Sequence, residues 1–345
     1  MLAGADMRAV TVTVVIVSYE SAELAIESLR SVAAERSAAG LDLRAVVVDN
    51  ASGDYPAISR ALAGNGWDSW VTAVLAPRNG GFAYGNNLGI RHALRNGPVD
   101  YIHLLNPDTQ VRPGAIGALV RFLESHPGTG IAGGSFENED GSEWPIAFRF
   151  PSRVSEFSQA VAFGPLLRLL DRWAVARQMS QAAQQQVDWI CGASMMIRAA
   201  VLESIGGFDE GYFLYFEETD FCLRARRAGF TTWYVPESRV MHVGGQSTGV
   251  TERNTAPKRL PVYWFDSRRR YFAKAFGIGH AMAIDLIVLL SYPLGWLKRF
   301  VLRQRAQSVP HYYRDFIRAS VLRARNRSFA RLDDTPRLSQ RAHGA

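Results

Sequence analysis

Three carboxylates stand within four positions of one segment, at Glu217, Glu218 and Asp220. They follow the aromatic run Tyr212-Phe213-Leu214-Tyr215-Phe216, whose burial would carry the acidic groups out of bulk water. Acidic residues in the first turn of a helix are common and stabilise it by about 0.3–1 kcal/mol, which is one explanation. The other is chemical, because a helix N-terminus helps to keep one carboxylate ionised, the form that a general base needs. The segment is therefore a candidate catalytic site.

A second motif is suited to holding a cation. Asp108 lies in the segment Asn106-Pro107-Asp108-Thr109, where the proline ends an apolar strand and leaves the carboxylate at the edge of a sheet. One carboxylate with amide and water ligands suits Mg²⁺ or Mn²⁺ that a diphosphate also holds. A β-turn aspartate would explain the motif equally well. His242, which two glycines follow one residue later, is a further candidate ligand, although a lone histidine is more often structural.

A third motif combines glycines and amides in the segment Asn79-Gly80-Gly81-Phe82-Ala83-Tyr84-Gly85-Asn86-Asn87. Glycines allow a ligand to approach the backbone closely, and a helix that begins near Asn86 would offer free N–H groups to an anion. The spacing is neither GxGxxG nor that of a P-loop, so those two nucleotide-binding motifs are not indicated. A simple connection would not need so many glycines and asparagines, and we expect ligand contact here.

Asp49 ends an apolar run and precedes Asn50-Ala51-Ser52. Its carboxylate could accept a hydrogen bond from a nucleobase imide or a ribose hydroxyl. The pattern Asp-Asn-x-Ser would also serve a turn that caps the next helix. The residues alone leave both alternatives open.

These motifs follow β-branched runs that we predict to be strands, at residues 12–17, 43–48, 71–75 and 101–105. Helices are predicted after Ser21 and over 89–95, and such alternation indicates an α/β sheet with parallel strands. Open parallel sheets bind ligands beyond the carboxyl ends of their strands. The residues at those ends are Ser18-Tyr19, Asp49-Asn50-Ala51-Ser52, Arg78-Asn79-Gly80-Gly81 and Asn106-Pro107-Asp108.

The pattern weakens from 137 to 187, a stretch that we interpret as an insertion or a lid. Regular structure is predicted to resume with a strand at 194–197, a helix over 199–205, a helix from about 219 to 228, and a strand at 232–235.

Together the motifs resemble a family 2 glycosyltransferase of the GT-A fold, in particular the bacterial rhamnosyltransferase-like subgroup. The resemblance covers about residues 12–248 and depends on the order and spacing of the motifs. These are Val17-Ser18-Tyr19, Val48-Asp49-Asn50-Ala51-Ser52, Asn79-Gly80-Gly81-Phe82-Ala83, Leu105-Asn106-Pro107-Asp108-Thr109, Gly192-Ala193, Gly207-Phe208-Asp209-Glu210 and Phe216-Glu217-Glu218-Thr219-Asp220-Phe221-Cys222.

The resemblance implies a Rossmann-like, mostly parallel central sheet flanked by helices, with the catalytic domain over residues 1–250. It implies an inverting transfer of a sugar from a dTDP- or UDP-sugar, with dTDP-rhamnose the first expectation, to a polyprenyl-diphosphate-linked or glycan acceptor. A divalent cation, Mg²⁺ or Mn²⁺, would bind Asp108, with His242 near it. The expected nucleotide-sugar-binding residues are Ser18, Tyr19, Asp49, Asn50, Asn79, Gly80, Gly81, Asn87, Asn106 and Asp108.

The family's base is usually the Asp of a Glu-Asp pair, and the corresponding pair here is Glu217-Glu218. The resemblance therefore implies that Glu218 is the base, with a side chain one methylene longer. Misplacement of a reacting group by about 1 Å can cost ~10²-fold in rate. Glu217 and Asp220 are accordingly alternative bases. A catalytically weak or inactive carbohydrate-binding scaffold protein at the membrane is the alternative function.

Composition sets further limits. The chain has 345 residues, 48% hydrophobic and 21% charged, which argues against a disordered or a polytopic membrane protein. Two cysteines without a CxxC pair argue against a disulfide framework or a cysteine zinc site and fit a reducing cytoplasm. Residues 251–345 hold 19 of the 39 Lys and Arg but 6 of the 32 acidic residues. This basic region points to an anionic partner.

The apolar run at 281–297 is interrupted by Asp285 and Pro293, so we expect it to lie on a membrane surface and not to cross the bilayer. An ordinary buried helix is the alternative. With the basic residues around it, the helical region 251–345 would hold the enzyme at the cytoplasmic face of the membrane.

Seven arginines between 314 and 337 raise the alternative that the chain binds nucleic acid, but no nucleic-acid-binding motif accompanies them, and no nucleic-acid partner is expected. The N-terminal run at 10–17 is predicted to be a strand and not a signal sequence.

Overall fold

The computed structural model describes residues 9–38, 40–138, 140–144, 147–161, 163–177, 183–242, 258–301, 303, 309–322 and 333–338. The glycines that follow His242 and four of the seven arginines between 314 and 337 lie outside the described residues, so the predictions that depend on them stay predictions.

Strands and helices alternate through the first part of the chain. Its elements are β1 Thr11–Ser18, α1 Ala22–Ala38, β2 Asp42–Asp49, α2 Tyr55–Asn65, β3 Val71–Leu75, α3 Gly81–Arg95, β4 Tyr101–Leu105, β5 Thr109–Val111, α4 Ala115–Ser125 and β6 Thr129–Glu137. Shorter elements follow, namely β7 Glu143–Trp144, β8 Ala147–Phe148, α5 Arg153–Val161, α6 Gly164–Leu169, a 3₁₀ turn Asp171–Trp173, β9 Ala176–Arg177, β10 Gln185–Val187, β11 Trp189–Ile190 and β12 Ser194–Arg198. The rest is α7 Ala199–Ile205, α8 Glu217–Arg227, β13 Thr231–His242, α9 Val262–Phe276, α10 Ile278–Val301, α11 Tyr312–Phe316 and a π-helical turn Ile317–Leu322.

Ten of the described strands form one sheet. Its order is β10-β13-β6-β12-β4-β1-β2-β3, with β5 beside β13 and β7 beside β6. The pairs β1–β2, β1–β4, β2–β3 and β6–β13 are parallel, whereas β12 runs antiparallel to β4 and β6. The predicted α/β class, a mostly parallel sheet flanked by helices, is confirmed.

Strand β1 has helices on both of its faces. Successive side chains of a strand point to opposite sides, so Val14 and Ile16 enter a core with Leu29 of α1, and Val15 enters the other core with Ile90 of α3. A strand buried on both faces is a continuous apolar run, which is why the N-terminal segment resembles a signal sequence in composition.

The predicted C-terminal helices are present as α9, α10 and α11, and they pack on the rest of the chain. Tyr271 and Phe272 of α9 share a core with Leu223 of α8 and Ile284 of α10. Arg268, 1% exposed, donates to Glu156 of α5 at 2.8 Å and to Asp285 of α10 at 2.8 Å. Asp285, which interrupts the apolar run in the sequence, is therefore neutralised inside the protein. Helix α5, from the predicted insertion or lid, is fastened to the C-terminal helices by the same guanidinium.

One face of α10 is exposed and apolar. Its residues recur every three or four positions and are between 41% and 67% exposed; we call them the apolar stripe, Ile278, Met282, Leu286, Leu290, Leu294, Leu297 and Val301. The segment Ile278–Lys298 is long and apolar enough to cross a membrane by length and composition, and a third of it is buried inside the protein.

Two helix and strand predictions need correction. Helix α3 begins at Gly81 and not near Asn86. Its glycines lie inside the helix and allow it to pack closely on β1: a Cβ on Gly85 would lie 2.6 Å from Val17 Cγ1, and one on Gly89 would lie 2.5 Å from Val15 Cγ1. Strand β13 continues to His242, well beyond the predicted end at 235. That extension brings His242 to the edge where the candidate site lies.

Candidate active site

The sheet register brings the predicted motifs to one edge. Ser18 at the end of β1 is the neighbour of Asp49 at the end of β2, and Leu105 at the end of β4 lies beside Ile16. The segment after β4, residues 106–108, therefore continues from the same edge as the other two motifs. This is the carboxyl edge at which parallel sheets bind ligands.

Asp49 forms a turn. Its Oδ1 accepts hydrogen bonds from the Ser52 N–H at 2.8 Å and the Ser52 hydroxyl at 2.7 Å, and its Oδ2 accepts one from the Tyr55 N–H at 3.0 Å. The side chain is fully buried. Burial alone would raise the pKa of Asp49, but these hydrogen bonds hold the pKa below its ordinary value. Of the two alternatives, the structure supports the turn-forming one over direct contact with a nucleobase.

Ser18 is also tied into this turn. Its hydroxyl donates to Asp54 Oδ2 at 2.7 Å, and the same oxygen accepts the Ser21 N–H at 2.9 Å. Ser18 is buried, whereas Tyr19 is 42% exposed at the rim of the sheet edge. Of the predicted pair, Tyr19 is the side chain that a ligand can reach directly.

A hydrogen-bonded joint connects the asparagine-glycine loop to the acidic segment. Asn50 Nδ2 donates to Asn79 Oδ1 and to the Gly81 carbonyl, both at 3.1 Å. The Phe82 N–H donates to the Phe213 carbonyl at 2.9 Å. The Phe213 carbonyl was not predicted from the sequence, because a backbone acceptor has no residue-type signal. The joint thus fixes the asparagine-glycine loop, at the strand ends, against the segment that carries Glu217 and Glu218.

The two glycines of this loop are explained by close packing. Gly81 has a φ of +81°, and a Cβ there would lie 1.8 Å from the Phe213 carbonyl oxygen. A Cβ on Gly80 would lie 2.4 Å from Tyr84 Cγ. Close packing against Phe213 and Tyr84 therefore explains both glycines. Contact between their backbone and a ligand stays a prediction.

Asn87 was predicted to contact the nucleotide sugar, and the structure gives it other partners. Its Nδ2 donates to the Phe208 carbonyl at 2.8 Å and to Glu210 Oε1 at 3.0 Å, and its Oδ1 accepts the Phe208 N–H at 2.9 Å. Because α3 begins at Gly81, Asn87 lies inside the helix and not at its N-terminus. It holds the loop that precedes the acidic segment.

Asn106 shapes the turn that presents Asp108. The Asn106 N–H donates to the Ala193 carbonyl at 3.0 Å, and the Asn106 carbonyl accepts the Thr109 hydroxyl at 2.6 Å. The start of β12 is thereby joined to the turn.

Asp108 and His242 lie together, as the cation prediction requires. His242 pairs with Thr109 across β13 and β5, which places its Nε2 3.4 Å from Asp108 Oδ1. Both side chains are buried, and Asp108 Oδ1 accepts no hydrogen bond from the described residues. Over that same part of the chain, no group of three or more His, Cys, Asp or Glu side chains is placed to hold a metal ion. The pair fits a cation that takes its other ligands from a diphosphate and water.

The acidic segment is held by strained backbone and by the C-terminal helices. Tyr215 and Phe216 both have a φ of 70°, a conformation that costs non-glycine residues about 1–3 kcal/mol each. Helix α9 holds this turn: the Ser267 hydroxyl donates to the Leu214 carbonyl at 2.9 Å, and Phe216 packs against Trp264. The turn sets the positions of Glu217 and Glu218, the first two residues of α8.

The two glutamates have elevated pKa values. Burial raises the pKa of Glu218 to about 7, although the N–H groups of Glu218 and Gly192 act in the opposite direction. Burial, and then the negative charge of Glu218, raise the pKa of Glu217 well above its ordinary value. The Oε2 atoms of both accept no hydrogen bond from any described residue. A carboxyl group with a pKa near 7 is well suited to take up a proton at neutral pH.

The acidic groups converge on Cys191. Burial raises the pKa of this thiol to about 12, with further contributions from the charges of Glu218, Asp108 and Glu217. A charge acts strongly only over a short distance, so the candidate cation ligand Asp108 and the candidate base Glu218 both lie near this thiol. That these acids act together in one site stays a prediction.

Asp220, the other alternative base, is occupied elsewhere. It lies 2.8 Å from Arg224 Nε and 3.1 Å from Lys274 Nζ, which also contacts Asp209 at 2.7 Å. These ion pairs join α8 to α9. Asp220 therefore fastens α8 to α9, and its role as an alternative base stays a prediction.

A cavity of about 480 Å³ opens beside Glu218. Its walls come from α5, the segment around β11, the start of α8, α9, α10 and α11, and they are mostly apolar or aromatic. The lining residues are Pro151, Glu156, Gln159, Ala160, Val175, Trp189, Tyr215, Phe216, Glu218, Thr219, Leu260, Trp264, Val288, Tyr292, Val309 and Tyr312. The sequence did not indicate this cavity, because its walls come from segments that are far apart in the chain.

Residues 9–257 match the family model described as glycosyltransferase-like family 2. The chain belongs to this family. Among curated relatives, an N-acetylglucosaminyl-diphospho-decaprenol L-rhamnosyltransferase of Mycobacterium tuberculosis is 34% identical over 152 residues, 44% of this chain and 49% of that protein. Rhamnosyltransferase WbbL of Escherichia coli K12 is 28% identical over 165 residues, 47% of this chain and 60% of that protein. The matches thus span about half the length of these family 2 relatives. The family prediction is confirmed.

Solved structures show the same fold. The mannosyltransferase PcManGT of Pyrobaculum calidifontis, in complex with GDP-Man and Mn²⁺, has a TM-score of 0.52 at 18% identity, over 91% of this chain and 84% of that one. GalNAc-T7 with UDP, GalNAc and Mn²⁺ has a TM-score of 0.52 at 16% identity, over 92% of this chain and 58% of that one. The predicted GT-A fold is confirmed for this family 2 chain.

Proposed function

We propose that this chain is an inverting glycosyltransferase that moves one sugar from a nucleotide-diphosphate donor to a hydroxyl group of a lipid-linked glycan. The observation that most strongly supports this is the position of Glu218. It lies near Asp108, since the charges of both act on Cys191, and it is part of the lining of the cavity. A proton acceptor between a cation site and a space for a second substrate is what a single displacement at an anomeric carbon needs.

The donor would lie across the ends of β1, β2 and β4. Tyr19 would contact the nucleoside at the rim, and the Asn79-Gly80-Gly81 loop would border the sugar. Asp49 would act indirectly, by holding the turn 50–55. dTDP-rhamnose is the first donor to test, because the M. tuberculosis and E. coli relatives are rhamnosyltransferases.

Asp108 and His242 would hold the cation, together with the donor diphosphate. When bound, a divalent cation supplies positive charge that stabilises the departing nucleoside diphosphate. Mg²⁺ prefers an all-oxygen shell, so an imidazole ligand leads us to expect that Mn²⁺ supports activity better.

Glu218 would accept the proton of the acceptor hydroxyl. The hydroxyl oxygen would then attack the anomeric carbon from the face opposite the nucleoside diphosphate, forming one C–O bond as the other breaks. Burial and the charge of Glu218 raise the pKa of Glu217 well above its ordinary value, which disfavours a second negative charge beside the base.

The acceptor would be presented at a membrane. The relative from M. tuberculosis is named for a diphospho-decaprenol acceptor. The apolar stripe of α10 gives this chain a surface that can lie in the interfacial layer of a bilayer. We therefore propose that the enzyme is bound peripherally to the cytoplasmic face of the membrane, without a nucleic-acid partner.

Release of nucleoside diphosphate from a panel of dTDP- and UDP-sugars tests the proposal. The assay is run with Mn²⁺, with Mg²⁺ and with EDTA, in the presence of N-acetylglucosaminyl-diphospho-polyprenol. We expect activity with dTDP-rhamnose and Mn²⁺, and loss of about 10²-fold or more in Asp108→Asn. Full activity in EDTA would remove the cation from the proposal. An inactive scaffold is the correct description if every donor is left intact while a nucleotide sugar still binds.

A further inference from the structure

The cavity beside Glu218 is built on one face of helix α10. Val288 and Tyr292 of α10 form one wall, and Trp264 of α9 and Tyr312 of α11 form others. The cavity is continuous with the candidate base, because Glu218 itself is part of its lining. A molecule in this space would have its reacting group within reach of the carboxylate.

The chemistry of the walls indicates the kind of ligand. Aromatic faces accept the apolar C–H face of a sugar ring, and a few polar groups can bind its hydroxyls. Gln159 and Thr219 supply such groups. The described lining includes no lysine or arginine, so a diphosphate would find no cation inside the cavity. A neutral sugar suits these walls better than the charged linker of a lipid carrier does.

The two faces of α10 point in opposite directions. At 100° per residue, Val288 on the cavity side is roughly 200° away from Leu290 in the apolar stripe. Val288 is 2% exposed and Leu290 is 65% exposed. The cavity and the stripe are therefore separated by the thickness of one helix, roughly 10 Å with its side chains.

We propose that the cavity is the subsite for the acceptor's terminal sugar, held one helix diameter above a membrane on which α10 lies by its apolar stripe. This inference depends on the proposed function. The isoprenoid chain of the acceptor stays in the bilayer, its diphosphate crosses the edge of α10, and its sugar enters the cavity with one hydroxyl at Glu218. The height of the cavity thus selects a sugar carried on a linker and excludes lipid itself.

The test compares cavity variants with stripe variants on two acceptors. One acceptor is N-acetylglucosamine linked by diphosphate to a short, water-soluble prenyl chain. The other has the same head group on a long polyprenyl chain in vesicles of anionic phospholipid. The cavity variants are Trp264→Leu and Gln159→Leu, of which the second changes an exposed side chain and is expected to fold normally. The stripe variant is the double change Leu290→Glu and Leu294→Glu.

We expect each cavity variant to raise the acceptor KM about tenfold with both acceptors, the effect of losing one aromatic or hydrogen-bonding contact of about 1.4 kcal/mol. In Gln159→Leu the donor KM and the slow hydrolysis of the donor without acceptor should be unchanged, whereas Trp264→Leu also loosens the turn at Tyr215 and Phe216 and is used for the acceptor KM alone. The stripe variant should lose flotation with vesicles and transfer to the vesicle-bound acceptor, and keep its transfer to the soluble one.

Two results would overturn the inference. An unchanged acceptor KM in both cavity variants would show that the sugar binds elsewhere. A higher KM for the long-chain acceptor alone would show that the cavity holds the lipid chain. Failure of the proposed function looks different, since the wild-type protein would then form no glycosidic product with either acceptor.

Discussion

The two halves of the candidate site differ in how their polar groups are held. On the strand-end side, the Asp49 carboxylate and the amides of Asn50 and Asn79 form hydrogen bonds within the protein, while Asn50 Oδ1 and Asp108 Oδ1 accept none from the described residues. On the α8 side, Glu217 and Glu218 each keep a carboxylate oxygen without a hydrogen bond from the described residues. Polar atoms that are buried and unsatisfied cost free energy, so they are expected where a substrate will supply the partner. The unsatisfied carboxylate oxygens of Asp108, Glu217 and Glu218 thus mark the groups left to bind a cation or react, and the hydrogen-bonded groups around Asp49 mark those that position.

The halves also depend on different parts of the chain. The strand-end half is made from turns directly after β1, β2, β3 and β4, within residues 18–108. The α8 half depends on helix α9, whose Ser267 and Trp264 hold the strained turn at Tyr215 and Phe216. Damage to the C-terminal helices should therefore affect the base and the acceptor before it affects the donor.

Removal of the base is the largest expected effect. Glu218→Gln keeps the shape and removes the proton acceptor, so we expect kcat to fall by about 10²–10⁴-fold with little change in donor KM. In the wild-type enzyme the base must be ionised, so kcat should rise with pH through a midpoint at about 7. The variant should lose that dependence. Steady-state kinetics from pH 5 to 9 measures both.

Stability distinguishes this result from misfolding. A carboxyl whose pKa is raised by folding favours the folded state while it is protonated, and the advantage is lost as pH rises from about 4.5 through about 7. Glu218→Gln should therefore be at least as stable as the wild type at pH 8 by thermal unfolding. Glu218→Asp, which restores the residue usual in the family, should retain more activity than the glutamine variant. Equal loss in both would show that the reach of the glutamate side chain is needed as much as its carboxylate.

The second prediction concerns the ion network behind the cavity. Arg268→Met would leave Glu156 without its partner and Asp285 with Arg269 alone, and breaking a buried pair costs about 3–5 kcal/mol. Arg30→Met is the matched control, because its pair with Glu27 on α1 is at the surface, with the two side chains 57% and 51% exposed. It should cost less than about 1 kcal/mol. Urea unfolding measures both, and equal losses would contradict the importance of the buried network.

The strand-end half was largely predictable because its signals are local. Apolar runs of five to eight residues predicted β1 to β4, and the polar residues after them lie at one edge as expected. Strand β6 was missed, since Gly130, Gly133 and Gly134 give it a poor strand pattern. A Cβ on Gly134 would lie 1.9 Å from the Ser238 carbonyl oxygen, so close packing against β13 requires glycine there. Local propensity does not register such contacts.

The acceptor half was not predictable from local patterns. In the sequence, Asp285 within an apolar run indicated a broken or interfacial helix. In the structure, Asp285 is paired with Arg268, 17 residues earlier, and the same guanidinium also binds Glu156 of α5. From the sequence, Asp220 and Glu218 were both candidate bases. The structure distinguishes them, because Asp220 forms an ion pair with Lys274 of α9. In each case the deciding contact comes from an element that the periodicity of one segment does not specify.

The third prediction tests the joint between the halves. Gly81→Ala combines a φ of +81° with a Cβ 1.8 Å from the Phe213 carbonyl, so we expect a loss of at least about 1–3 kcal/mol of stability and a lower kcat. Gly53→Ala is the control, since Gly53 has a φ of +91° but nothing within 4 Å of the added Cβ. It should lose about 1 kcal/mol from backbone strain and keep its kcat. If the two variants have the same kcat, the joint does not position the acidic segment.

The smallest effect is expected at Asp49, where the two alternatives for the strand-end half can be separated. Asp49→Asn weakens the turn at Ser52 and Tyr55, and loss of a cap of this kind costs about 0.5–2 kcal/mol. Because folding lowers the pKa of Asp49, its contribution to the free energy of unfolding is present above about pH 4 and is lost as the pH falls through the pKa of the folded state. The stabilities of the variant and the wild type should therefore converge in acid. A turn-forming residue that never touches the donor leaves the donor KM at pH 7 within about twofold of the wild type. A KM higher by tenfold with intact folding would instead mean that the nucleobase reaches this carboxylate, and that the strand-end half binds the donor directly as well as positioning it.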